Sequence, residues 1–247
     1  MKCNDSLRRV AKLVLLSFLC CAVTLSQGVD PQPQDATQAI LAAFEVYQVV
    51  GMGADHGFKD LDDFILSLIQ NPAFPGKVND IVVECGNRRY QDTLDRYIAG
   101  KSVASSEMQL VWRNTTQQMC SLSRFYDKLF PLVRQINQKL PVQARLRVVA
   151  ADPPIDWKKV GNQSEYINAR NDRSSSITSV MERAVLAKKR KALLLFGEGH
   201  LFHKGRSSSV AEYEKTYPGV TFVVFTHKGF GSGNPLDIPY GQNTGTQ

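Results

Sequence analysis

Histidine is scarce in this 247-residue chain, with four in all, and cysteine (five) and tryptophan (two) are scarce too. Three of the cysteines, Cys3, Cys20 and Cys21, fall near the start, so the body of the chain holds only Cys85 and Cys120. One pair allows at most one disulfide and excludes a small scaffold built on several. Whether the two pair is left open by the sequence. Cys85 adjoins Glu84 and reads as a small buried residue rather than a site thiolate. Also missing are a Gly-x-Ser-x-Gly elbow and a phosphate-cradling glycine loop, which disfavours serine hydrolases of that design and nucleotide enzymes. No apolar run reaches the ~20 residues that cross a bilayer. A Lys/Arg stripe with interleaved aromatics is absent as well, so nucleic acid is not an expected partner. The run Lys188-Lys189-Arg190-Lys191 reads instead as a solvated helix end, where positive charge complements the helix dipole.

What is present begins with an export pattern. Lys2, Arg8, Arg9 and Lys12 precede a largely apolar stretch over residues 13–25, and small residues follow at Ser26 and Gly28. That order predicts a cleavable signal over 1–28 and a secreted or periplasmic location, with no integral membrane domain in the mature chain. Its removal takes away four basic residues and one acidic one, so the net charge falls from +7 to +4. Residues 29–35 (VDPQPQD) read as a linker, 36–228 as one domain, and 229–247 as a Gly/Pro-rich tail.

Within the domain, helical spacing over 36–45, 60–69, 90–98, 119–140, 166–188 and 210–217 alternates with β-type runs. Those runs lie at 46–52, 80–84, 145–150, 192–196 and 220–226. Alternation of this kind predicts an α/β fold with a central, largely parallel sheet flanked by helices. Two βα units echo each other weakly. The strand at 46–52 leads into Gly53-Ala54-Asp55-His56, and the strand at 192–196 leads into Gly197-Glu198-Gly199-His200. Glycine suits a sharp exit from a strand, and an imidazole three residues on can fold back over the strand ends. In an open parallel sheet that carboxyl edge is where ligands bind.

Glu84 ends the apolar run at 80–84, where a carboxylate needs a partner. Asp152 follows the strand at 145–150 in the same way, or serves as a turn residue before Pro153-Pro154. Two histidines and one or two carboxylates on one edge suit a divalent cation or general-base chemistry. Asn87 and Arg88 trail Glu84 and are positioned to hydrogen-bond it. His203 reads as an exposed loop histidine, and His227 follows the last strand, close to the same edge, without being assigned to the site. Asn114 and Asn162 begin glycosylation sequons by pattern.

The ordered set GADHG (53–57), VVECGNRRYQDTLDRYIAG (82–100), RVVAADPPIDW (147–157), ARNDR (169–173) and LLLFGEGHLFHKG (193–205) resembles the erythromycin esterase/ChaN-like/TraB–Tiki superfamily. The likeness runs from about residue 40 to 227. It implies a site of two Gly-x-x-His motifs and an intervening glutamate, which fall on His56, Glu84 and His200. Arg170 matches the arginine many members carry before the second motif. The esterase and ChaN patterns commonly place a glutamate where Ala54 stands here, with Asp55 after it. Glu198 supplies a carboxylate in the second motif instead. Members include hydrolases, metal-dependent proteases and haem-binding proteins. The expectation is therefore an exported hydrolase of ester or amide bonds in small-molecule or peptide substrates, with or without a divalent metal on His56, Glu84 and His200. The alternative is a non-catalytic haem- or metal-binding envelope protein.

Overall fold

Five β-type runs become five strands of one sheet: β1 (Val49–Gly53), β2 (Asp80–Asn87), β3 (Arg147–Asp152), β4 (Ala192–Phe196) and β5 (Thr221–Val224). All run parallel, in the order β3-β2-β4-β1-β5. The fold is the expected α/β architecture, and the sheet is wholly rather than largely parallel. The structure, a computed structural model, describes residues 32–53, 57–205 and 207–226. The expected signal (1–28) and tail (229–247), with Asp55, His56 and His227, lie outside the described residues. From Gln34 onward the described residues belong to one unit, and among them no helix is long and apolar enough to cross a membrane.

Parallel strands need cover on both faces, so their sequences read as unbroken apolar runs. Alternate side chains go to opposite layers. Val50, Ile81, Val83 and Leu193 join a larger core with the helices Ala36–Val46, Lys59–Gln70, Gln91–Ile98, Ser105–Arg113 and Phe125–Gln138. Val49, Val82, Leu194 and Phe196 join a smaller one with Arg173–Val180, its continuation through Leu186, and Ser209–Tyr213. The outer edge of β3 is closed by Gln91, whose side-chain amide donates to Val148 O and accepts from Ala150 N–H, at 2.9 and 2.8 Å. Those two backbone groups are no longer available to pair with another chain.

Several boundaries differ from expectation. The first helix runs through Val46, so β1 starts three residues later than the apolar run suggests. The helix expected over 119–140 is two helices, Gln118–Leu122 and Phe125–Gln138. Ser123 interrupts it with extended backbone, and its hydroxyl accepts the Phe125 N–H at 3.3 Å, a local bond that competes with the helical ladder. The helix at 166–188 becomes Gln163–Asn171 and Arg173–Val180, then a π turn and a 3-10 turn that end on left-handed Lys189 (φ 51°). Ser105–Arg113 is a helix that the sequence reading did not assign.

The amino edge of the sheet explains part of the basic run. Arg190 is not simply solvated. Together with Arg147 it clasps Asp80, which is fully buried, at 2.8 Å each. That clamp joins β2, β3 and the turn into β4.

Candidate functional site

Register places the site. β1 and β4 are neighbours, with Gly53 beside Phe196, so the two strands that precede the Gly-x-x-His motifs end side by side at the same edge of the sheet. β2 lies on the other side of β4, pairing Val83 with Leu195. Glu84 therefore ends level with the exit of β4, and the Gly197 N–H donates to its Oε2.

Alternation along β2 sends Val82 into the smaller core and Val83 into the larger, so Glu84 faces the helix Arg173–Val180. The first residue of that helix meets it. Arg173 Nη2 donates to Glu84 Oε1, and both side chains are buried. The same guanidinium lies 3.2 Å from Asp152 Oδ1 through Nη1. Asp152 in turn accepts the Thr116 N–H at 2.6 Å and its hydroxyl at 2.7 Å. Two buried carboxylates thus share one arginine. Burial pushes the Asp152 carboxyl up to about 6, with Glu84 adding to the rise. Arg173 and the two Thr116 bonds work in the opposite direction.

His200 completes the described cluster. Its Nε2 is 3.7 Å from Glu84 Oε1, and its Nδ1 is 3.4 Å from the Ser209 hydroxyl. The turn that carries it is tied down by Ser208, whose hydroxyl donates to the carbonyls of His200 and Phe202 at 2.9 and 2.5 Å. Glu198, in the same turn, lies over β1: a side chain on Gly53 would begin 2.9 Å from Glu198 Cγ. From the larger core the buried Tyr126 approaches the same end of β2. Burial raises its phenol, and the Glu84 charge raises it further.

Glu84, Asp152 and His200 thus come together, with Glu198 at the neighbouring strand end. Others do not. Arg170 is exposed on the helix Gln163–Asn171, and Arg173 takes the place foreseen for it. Asn87 does not trail Glu84 in a turn; it is the last residue of β2. Its amide donates to the carbonyls of Asn114 and Ile155, at 2.6 and 3.0 Å, and holds loops together. His203 pairs with Glu214 at 2.7 Å. Cys85 and Cys120 form a disulfide. The Asn114 amide is taken up by Tyr90 Oη at 2.7 Å, and Asn162 caps a helix.

Arg173, Thr116 and Ser209 were missed. A signal for Arg173 was available. It falls in phase with Ser176, Ile177 and Val180, all buried, whereas Arg170 sits a turn earlier, off the packed length of the helix.

A metal on Glu84 does not fit these surroundings. Oε1 is engaged by a guanidinium and Oε2 by a peptide N–H, and a fixed positive charge opposes a second cation on the same carboxylate. Among the described residues no three His, Cys, Asp or Glu side chains group as a metal-binding set.

No family model matches the chain, and no curated protein matches it. A crystal structure of a Bacillus cereus protein superposes with a TM-score of 0.47 at 12% identity, over 78% of this chain and 75% of that one.

Proposed function

We propose that the protein hydrolyses ester or amide bonds outside the cytoplasm by metal-free histidine–carboxylate chemistry, on a small-molecule or peptide substrate. The observation that carries this reading is Glu84, immobilised by Arg173 and Gly197 with His200 Nε2 3.7 Å away, at the carboxyl edge of a parallel sheet. A buried ion pair is weak support for stability, whereas a carboxylate held beside an imidazole suits proton transfer. His200 takes a proton from water as the water attacks the substrate carbonyl, and returns it to the leaving group. Glu84 orients the ring and offsets the positive charge that develops on it. Arg173 is a positioning residue, since it acts through Glu84. His56, three residues past the end of β1 in the sequence, is the proposed second base or electrophile. The export pattern over 1–28 supports the location.

The test is a panel of p-nitrophenyl esters and short peptides, run with wild type, His56→Ala, Glu84→Gln and His200→Ala. Activity should fall by roughly 10²–10⁴-fold in the variants. It should also persist in EDTA, with no stoichiometric metal by elemental analysis. Undiminished rates in all three variants would end the proposal. A visible absorption band on haem titration, lost in His200→Ala, would favour the binding-protein alternative.

A further inference from the structure

The turn after β4 carries more than the imidazole. Phe202, two residues beyond His200, is 47% exposed, and Phe225, the residue after β5, is 44% exposed. Their rings meet with centroids 5.2 Å apart and planes 31° from parallel. Two large aromatic side chains from separate elements thus pack on each other while nearly half of each stays in water. Scattered exposed apolar residues are ordinary, whereas a contiguous apolar surface rimmed by polar groups marks a binding region.

Register places this ledge beside the site. Gly53 is level with Phe196 at the end of β4, and Val224 is level with Met52, so Phe225 follows level with Gly53. A side chain on Gly53 would begin 3.5 Å from Phe225 Cδ1 and 2.9 Å from Glu198 Cγ. Gly53 alternates in phase with Val49, which joins the smaller core with Phe196, so the ledge lies on the face toward which Glu84 points. Strands are ~4.8 Å apart, so the ledge begins ~5–10 Å from the end of β4, where Gly197 meets Glu84. A shared anchor ties the two together. The Ser208 hydroxyl serves the carbonyls of both His200 and Phe202, so one side chain fixes the imidazole and the ledge at once.

We propose that Phe202 and Phe225 form the specificity-determining subsite of this site, and that the substrate is an ester or amide with an uncharged aromatic side group close to the scissile carbonyl. The scissile bond rests on the hydrolase reading above; the ring binding does not. A flat ring gains from stacking on two exposed rings, in contact area and in ring geometry. Glu198, between the ledge and the exit of β4, opposes a carboxylate in that position, because like charges brought together are unfavourable.

4-Phenyl-2-butanone carries a ring near a carbonyl that cannot be hydrolysed, and 2-butanone lacks the ring. In calorimetric titrations of the protein, the phenyl ketone should bind saturably and at least about tenfold more tightly than 2-butanone, the gain from covering one ring. Phe202→Ser and Phe225→Ser should each remove most of that preference. Phe225→Trp should keep it and show a change of emission with the phenyl ketone beyond any seen in wild type, which decides the matter if a serine variant fails to fold. Among p-nitrophenyl esters, kcat/KM for the 3-phenylpropanoate should exceed that for the acetate by a similar factor, and the ratio should fall in the serine variants. Preferential binding of the phenyl ketone without turnover of any ester would remove the hydrolase and support the subsite. Equal affinity for the two ketones, or a preference that survives in both serine variants, would overturn the subsite, whether or not esters are turned over.

Discussion

Arg173 and Glu84, 89 residues apart in the chain, meet as a buried ion pair between the first turn of a helix and the middle of β2, which runs on to Asn87 beyond the expected end at Glu84. Asp152 draws on the same guanidinium, so one arginine serves two buried carboxylates. Arg173→Met should therefore destabilise the fold by about 3–5 kcal/mol, the range for breaking a buried pair from one side. Glu84→Gln should lose less, because Arg173 keeps Asp152. Urea unfolding at pH 7 tests the order. Equal losses in the two variants would show that the arginine does not hold both acids.

Asp152 makes stability depend on pH in an unusual direction for a carboxylate. Its folded value is about 6 against an ordinary 3.8, so the folded state binds the proton more tightly than the unfolded chain. The contribution is fully present below pH ~4 and is lost as pH rises through ~6. Two units correspond to at most ~3 kcal/mol. Unfolding free energies at pH 4 and pH 7 should show this loss in wild type relative to Asp152→Asn. A pH-independent difference between the two proteins would refute the assignment.

The Cys85–Cys120 disulfide closes a loop of 35 residues in sequence. Chain-entropy reasoning assigns such a cross-link ~4 kcal/mol, with strain reducing it in practice. Cys85→Ala/Cys120→Ala, or reduction by dithiothreitol, should lower the urea midpoint accordingly. Thiol labelling of the denatured wild type should detect neither cysteine. Labelling at both positions would mean that the bond does not form.

Gly86 and Gly199 should respond oppositely to the same change. A Cβ on Gly86 would sit 2.8 Å from Ala150 Cα, on the backbone of the neighbouring strand, while one on Gly199 meets nothing within 4 Å. Gly86→Ala should destabilise by about 1–3 kcal/mol through overpacking, and Gly199→Ala by almost nothing. Thermal melts of the two proteins compare them directly.

The sheet was legible because parallel strands advertise themselves: Ile81-Val82-Val83 and the run at 192–196 are apolar on both faces. Strand order was not, since nothing local says that β1 lies beside β4. The weak echo of the two glycine–histidine loops hinted at it. Glu84 was found from the oddity of a carboxylate ending such a run. Asp152 was caught by the same reasoning, but its partner Thr116 was not, because that bond joins segments 36 residues apart. Arg170 fits the motif, but Arg173 is the arginine that shares a helix face with buried Ile177. The break at Ser123 went unseen because the apolar period continues on either side of it.

The position of β4 at the centre of the sheet also sets the order in which the chain can fold. β1 pairs only with β4 and β5, and β2 pairs with β3 and β4. The first strand therefore waits some 140 residues of synthesis for Ala192, its neighbour through Val49. At about 5–20 residues per second that interval is on the order of ten seconds. Throughout it β1 is a finished apolar strand with both edges open, the condition under which nascent chains associate wrongly. Non-local pairing of this kind also slows refolding. Dilution from denaturant should give a slow recovery whose yield falls steeply with protein concentration and is restored by a chaperone that shields exposed strands.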